Sequence, residues 1–232
     1  MSTSRSDLPQ PDAVVFDLDG TLVDTVERRI ESWMRVFAEE SIPADRSDVA
    51  ELIGSDGKRL ARVIAEAAGR PLAPGRDEAI DRRSGELYDE LNIDPRPLAG
   101  AHRLLEALDA AGLRWAIATS SRREQTTASV AALRLANPPR IVDGSHVEHA
   151  KPAPDLLLRA AEELGVEPAR TWYVGDATWD MRAAVAAGMP AIGITTGAVD
   201  AEALRESGAR AVLASLDELF DVAAAQGLLE PG

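Results

Sequence analysis

Cysteine is absent from all 232 positions, which excludes a disulfide framework, a thiolate metal site and a cysteine nucleophile together. Positive charge is scarce: 25 Lys and Arg stand against 39 Asp and Glu, for a formal net charge of −14. Such a surface repels nucleic acid and anionic membrane, so neither is expected as a partner, and any phosphate the chain binds must be gripped locally. No apolar run approaches the length of a membrane span. The polar stretch before Pro11 also lacks an apolar core of signal-peptide type. A cytoplasmic monomer or homodimer is expected, without internal repeats or low-complexity tracts.

What remains is an alternation. Short runs rich in Val and Ile, at 13–16, 114–118, 140–142, 171–174, 191–194 and 211–213, alternate with segments of helical period. This pattern predicts an α/β fold with a doubly wound, Rossmann-like parallel sheet and helices on both faces. Helices are predicted over 102–111, 123–135, 154–164 and 178–187; Gly112, Gly165 and Gly188 stop the first, third and fourth. From 26 to 96 the alternation lapses. Apolar residues recur there at helical spacing: Val26, Ile30, Trp33, Met34 and Phe37, then Leu60, Val63, Ile64 and Ala67, then Ile80, Leu87, Tyr88 and Leu91. These read as ordinary core stripes of an inserted α-helical domain. Segments 1–25 and 97–232 then form the Rossmann-like core, and 94–100 is the return hinge, because residues before proline disfavour helix.

The first predicted strand runs into Asp17-Leu18-Asp19-Gly20-Thr21. Side chains two apart on a strand share a face, so both carboxylates converge at its carboxyl end, where open α/β sheets place ligands. Two close carboxylates can divide labour, one ionised as nucleophile or metal ligand, the other carrying a proton. An isolated pair of this kind is more often a solvated turn, but this one has company. The second strand ends in Thr119-Ser120-Ser121, whose hydroxyls and backbone N–H groups open a helix and can cradle an anion as well as cap it. Lys151 precedes Pro152-Ala153-Pro154-Asp155, a stiffened segment able to aim one cation into a cleft. Asp176 ends another strand after Val174-Gly175, and Asp180 follows near a helix start, where it can look back at the same place.

These four elements, in this order, resemble the haloacid dehalogenase (HAD) superfamily. Its D-x-D-G-T/V, Thr/Ser, Lys and G-D-x-x-x-D signatures stand here as DLDGT, TSS, KPAP and GDATWD. The match spans the chain, with Ala150 where many relatives have glycine. The insertion resembles the type 1 α-helical cap of the phosphoglycolate phosphatase and β-phosphoglucomutase-like subgroup. The resemblance implies a Mg²⁺-dependent phosphatase that hydrolyses a small phosphorylated metabolite through an aspartyl phosphate. It implies Asp17 as nucleophile and Asp19 as the acid that later serves as base. Mg²⁺ would rest on the Asp17 carboxylate, the Asp19 carbonyl and Asp176, with Asp180 orienting its waters. Thr119 and Ser120 would bind the phosphoryl group and Lys151 neutralise its charge.

Two alternatives share these motifs: a phosphosugar mutase and a catalytically idle phosphate-binding module. The mutases that the chain resembles carry a histidine on the first cap helix, five residues after the aspartate matching Asp24. Arg29 stands there instead, and a guanidinium can bind an anion but cannot gate a proton. Hydrolysis is therefore expected, and retention of every catalytic motif argues against an idle module. Arg29, with Lys58 and Arg59 after Gly54-Ser55-Asp56-Gly57, supplies candidate substrate-binding cations. His102, His146 and His149 have no partner pattern and are expected at the surface, with His149 near enough to Lys151 to line the cleft. Trp172 is expected in the core and Trp179 against ligand or cap.

Overall fold

The computed structural model describes residues 8–230; the first seven residues of the polar N-terminal stretch lie outside them. The chain runs through β1 (Ala13–Phe16), β2 (Val23–Asp24), four helices α1 (Val26–Glu39), α2 (Arg46–Leu52), α3 (Gly57–Ala67) and α4 (Arg76–Leu91), and then β3 (Arg96–Pro97). It continues as α5 (Ala101–Ala110), β4 (Arg114–Ala118), α6 (Arg123–Ala132), β5 (Ile141–Val142), α7 (Asp155–Leu164) and β6 (Thr171–Gly175). The last elements are α8 (Thr178–Ala187), β7 (Ala191–Ile194), α9 (Ala201–Glu206), β8 (Ala211–Leu213) and α10 (Leu216–Ala225).

Six strands form a parallel sheet in the order β5-β4-β1-β6-β7-β8, the doubly wound architecture expected from the alternation. Val15 of β1 lies between Ala116 of β4 and Tyr173 of β6. Alternation along the strand divides β1 between two cores. Val14 and Phe16 enter one, with Ile117, Trp172 and Val174 and residues of α5 and α10 such as Leu104 and Phe220. Ala13 and Val15 enter the other, with Ala116 and Tyr173 and with Leu157 and Met181 from α7 and α8. From β1 the chain order moves outward through β4 on one side and through β6 on the other. The carboxyl end of β1 is thus the topological switch point where such sheets open a crevice.

Helices α1–α4 gather a third apolar cluster around Ile30, Phe37, Leu60, Ile64 and Ile80. Within α3 the buried face is Leu60, Ala61, Ile64 and Ala65, so Val63 and Ala67 of the expected stripe are solvent-exposed instead. Ala177 and Trp179, at the start of α8, join this cluster. The Trp179 indole N–H donates to the Glu51 carbonyl at 2.8 Å, so Trp179 packs on the inserted helices while Trp172 is core. The helix expected over 123–135 stops at Ala132, because Arg134 adopts a left-handed φ of 49°. The return segment holds β3, antiparallel to β2 with Val23 opposite Pro97, a short pairing that tolerates proline at an edge. Among the described residues no helix is long and apolar enough to cross a membrane.

Candidate active site

The Asp17 N–H donates to the Val174 carbonyl at 2.8 Å, which carries the β1–β6 ladder one residue past the strand and sets the Asp17 carboxylate at its carboxyl end. Gly20 then turns the chain at φ 82°. A Cβ there would fall 2.4 Å from Asp176 Oδ2, so only glycine passes beneath that carboxylate. Asp176 leaves β6 and accepts from the Thr21 hydroxyl through Oδ1 at 2.7 Å. Lys151 is fully buried, its Nζ 2.5 Å from Asp17 Oδ1 and 2.8 Å from Asp180 Oδ1. Asp180 also accepts from the Tyr173 hydroxyl at 2.8 Å and, through Oδ2, from the Ala177 N–H at 3.0 Å.

Three buried carboxylates therefore face one buried ammonium. Burial pushes Asp17 up, Lys151 pulls it back and Asp180 and Asp19 add to the push, leaving it at about 7. Asp176 is raised well above the carboxylate range by burial and then by the charges of Asp180 and Asp17. Such an excess of buried negative charge is what a hard divalent cation relieves. One carboxylate oxygen from each of Asp17, Asp176 and Asp180 lies within 4.8 Å of the other two. Both Asp180 oxygens are occupied by protein donors. Asp17 Oδ2 and Asp176 Oδ2 have no hydrogen-bond partner among the described residues. The donor set fits a metal ion that would draw its carboxylate oxygens from Asp17 and Asp176, while Asp180 aligns Lys151.

Asp19 belongs to a second group. Its Oδ1 accepts from the hydroxyls of Thr25 at 2.7 Å and Tyr88 at 3.0 Å. Its Oδ2 accepts from Arg29 and from the Ser121 hydroxyl, each at 2.8 Å. Burial raises the Asp19 carboxyl, but Arg29 with the Thr25 and Ser121 hydroxyls outweighs it and holds the group below the usual range. The Arg29 guanidinium also donates to Ser121 Oγ at 2.6 Å and lies 3.4 Å from the centre of the Tyr88 ring. Tyr88, assigned from its period to an ordinary core stripe, is thus a site residue: its ring is buried but its hydroxyl reaches Asp19. The available signal was a tyrosine at a buried helical position, since a buried phenol usually has a polar partner. Thr25 carried no such signal, and the Ser121 hydroxyl, expected to cradle an anion, donates to Asp19 instead.

A cavity of about 60 Å³ joins the two groups, and Asp17, Asp19, Arg29, Thr119, Ser120 and Lys151 line it. Thr119 Oγ1 accepts from the Ser121 N–H at 3.1 Å. The Ser120 hydroxyl is turned towards the inserted helices, donating to the Gly54 carbonyl at 3.2 Å. Lys58 and Arg59, expected as substrate-binding cations, are not among the residues that line this cavity. On the first turn of α3 it is Gly57 and Leu60 that face it, and each step along a helix rotates the side chain by about 100°. Arg59 is exposed and lies over the Trp179 ring at 5.0 Å. His149 does not line the cavity either; it is exposed, with Nδ1 3.5 Å from Asp155. His102 is exposed beside Glu106, and His146 is exposed too, its Nδ1 accepting from the Asp143 N–H.

Residues 14–194 match the family model described as haloacid dehalogenase-like hydrolase. The chain is 32% identical over 220 residues to a phosphoglycolate phosphatase of Rhodospirillum rubrum, covering 91% of this chain and 90% of that one. It is 31% identical over 186 residues to the fructose-1-phosphate phosphatase YqaB of Escherichia coli, covering 78% of this chain and 95% of the relative. The crystal structure of a hydrolase from Pseudomonas syringae superposes with a TM-score of 0.87 at 32% identity, covering 91% of this chain and 97% of that one. The chain belongs to the haloacid dehalogenase-like hydrolase family, and within it stands with the phosphoric monoester hydrolases.

Proposed function

We propose that the chain is a Mg²⁺-dependent phosphatase of small phosphorylated metabolites that works through a phosphoaspartate on Asp17, with residues 26–96 as a cap over a core of residues 1–25 and 97–232. The observation that carries this reading is the Asp17 carboxylate, buried at the switch point, with one oxygen held by Lys151 at 2.5 Å and the other without a partner among the described residues. Lys151 lowers the proton affinity of the nucleophile against the effect of burial and orients it, and Asp180 and Tyr173 hold the ammonium in line. Mg²⁺, held by Asp17, Asp176 and the Asp19 backbone carbonyl, would neutralise charge between nucleophile and phosphate.

Asp17 attacks phosphorus as the bond to the leaving oxygen breaks, and Asp19 gives that oxygen a proton. In the second half, Asp19 takes a proton from water as it attacks the phosphoaspartate, releasing phosphate and restoring both carboxyls. Asp19 is held ionised by Arg29 in the closed site. An incoming phosphate dianion competes for that guanidinium, and as the ion pair weakens Asp19 gains the proton affinity an acid needs. Thr119 supplies a hydroxyl to the phosphoryl oxygens. The pairing of Asp19 with an arginine rather than a titrating histidine favours water as acceptor over a second sugar hydroxyl. The test is release of nitrophenol from p-nitrophenyl phosphate with and without MgCl₂. Turnover should require Mg²⁺ and vanish in Asp17→Asn while the fold is retained; Asp17→Asn activity within about tenfold of wild type would remove the covalent mechanism.

A further inference from the structure

Resting on the phosphatase reading, we propose that the site takes a phosphorylated polyol or sugar, whose hydroxyls are read by Asp81 and Gln125, in preference to a phosphorylated carboxylic acid. Both side chains line the catalytic cavity together with Trp33, and none of the three is used by the chemistry. Asp81, on α4, is oriented by Arg122, which donates to its Oδ2 at 2.8 Å. Its Oδ1 has no hydrogen-bond partner among the described residues. Gln125, on α6, accepts the Arg122 N–H through Oε1 at 3.1 Å, and its Nε2 likewise has no partner among the described residues. One acceptor and one donor are therefore held ready by a shared arginine, one from the inserted helices and one from the core.

Two glycines make room for them. A Cβ on Gly57 would fall 1.9 Å from Asp81 Oδ1, and one on Gly85 would fall 2.0 Å from Gln125 Nε2. Both glycines line the same cavity. Any larger residue at either position would drive the polar atom from its place.

The chemistry of this wall selects the leaving group. A hydroxyl both donates and accepts, so it can satisfy Asp81 and Gln125, and its carbon chain can lie on the Trp33 indole. A carboxylate can only accept and would meet the negative Asp81. Among the described residues the wall offers it no spare cation: Lys151 is bound to Asp17 and Asp180, Arg29 to Asp19 until the phosphate claims it, and Arg122 to Asp81, while Lys58 and Arg59 do not line the cavity. Asp81 and Gln125 are half-buried, and polar groups held ready for hydroxyls discriminate against analogues that leave them unpaired.

The experiment compares kcat/KM for fructose 1-phosphate, sorbitol 6-phosphate and glycerol 1-phosphate with 2-phosphoglycolate and p-nitrophenyl phosphate. The best polyol or sugar phosphate should exceed 2-phosphoglycolate by about tenfold or more, the value of one charge-assisted hydrogen bond. Asp81→Asn and Gln125→Ala should each lose about tenfold more on that substrate than on p-nitrophenyl phosphate, and Asp81→Asn should narrow the gap to 2-phosphoglycolate. Equal or better use of 2-phosphoglycolate, or equal losses on all substrates, would overturn the inference while leaving the phosphatase reading intact. Calorimetric binding of sorbitol 6-phosphate and 2-phosphoglycolate to Asp17→Asn decides the point without turnover. Tighter binding of the polyol supports it, and tighter binding of the acid overturns it even if no substrate is hydrolysed.

Discussion

Replacing Arg29 by Gln removes the cation paired with Asp19. The two side chains are 12% and 11% exposed with 2.8 Å between Nη2 and Oδ2, so solvent screens the pair little. Removing one partner from a buried ion pair costs about 3–5 kcal/mol, because the remaining charge is stranded. Three hydroxyls still donate to Asp19 and relieve part of that cost, which brings this loss just below that range, to about 2–3 kcal/mol. Loss of the contact over Tyr88 adds about 1 kcal/mol. For a chain of this length the melting temperature should fall by roughly 6–16 °C. The folded-state pKa of Asp19 is depressed, so the stabilisation is complete above the unfolded value near pH ~4 and is lost as pH falls through the folded value. The gap between wild type and Arg29→Gln should hold from about pH 8 to about pH 5 and narrow below about pH 4. Calorimetric melts across that range measure it. A variant that melts within about 2 °C of wild type at neutral pH, or a gap that does not narrow in acid, would refute the assignment of Arg29 as counter-ion to Asp19.

Lys151→Met leaves Asp17 and Asp180 without their shared cation; kcat should fall by about 10²–10³-fold and the melting temperature should drop. MgCl₂ should restore part of the lost stability, and an unchanged melt in its absence would count against the charge argument. Gly20→Ala places a methyl against Asp176 Oδ2 at a left-handed φ, so the Mg²⁺ concentration for half-maximal activity should rise by about tenfold or more. A magnesium titration of phosphate release checks it, and an unaltered half-saturation point would show that Asp176 does not depend on that turn.

The sequence by itself determined the parts that depend on local period and on strand ends. Runs such as 13–16 and 171–174 are apolar on both faces because they lie inside a parallel sheet, and the residues that follow them must emerge at one edge. That is why Asp17, Thr119 and Asp176 were legible as neighbours although up to 159 positions separate the first from the last. Periodicity alone could not say how the inserted helices would lie on the core. A helical stripe identifies a buried face but not what buries it, so Tyr88 read as core although its hydroxyl serves Asp19, and Lys58 and Arg59 read as facing the site although α3 turns Gly57 and Leu60 inward. Asp81 and Gln125 carried no signal, being single polar residues on helices distant in sequence. Only the docking of those helices, through Trp179 of α8 and Ala177 just before it in their apolar cluster and through Arg122 on Asp81, decided which side chains meet over Asp17. That docking is a sum of long-range contacts, and no stretch of chain encodes it locally.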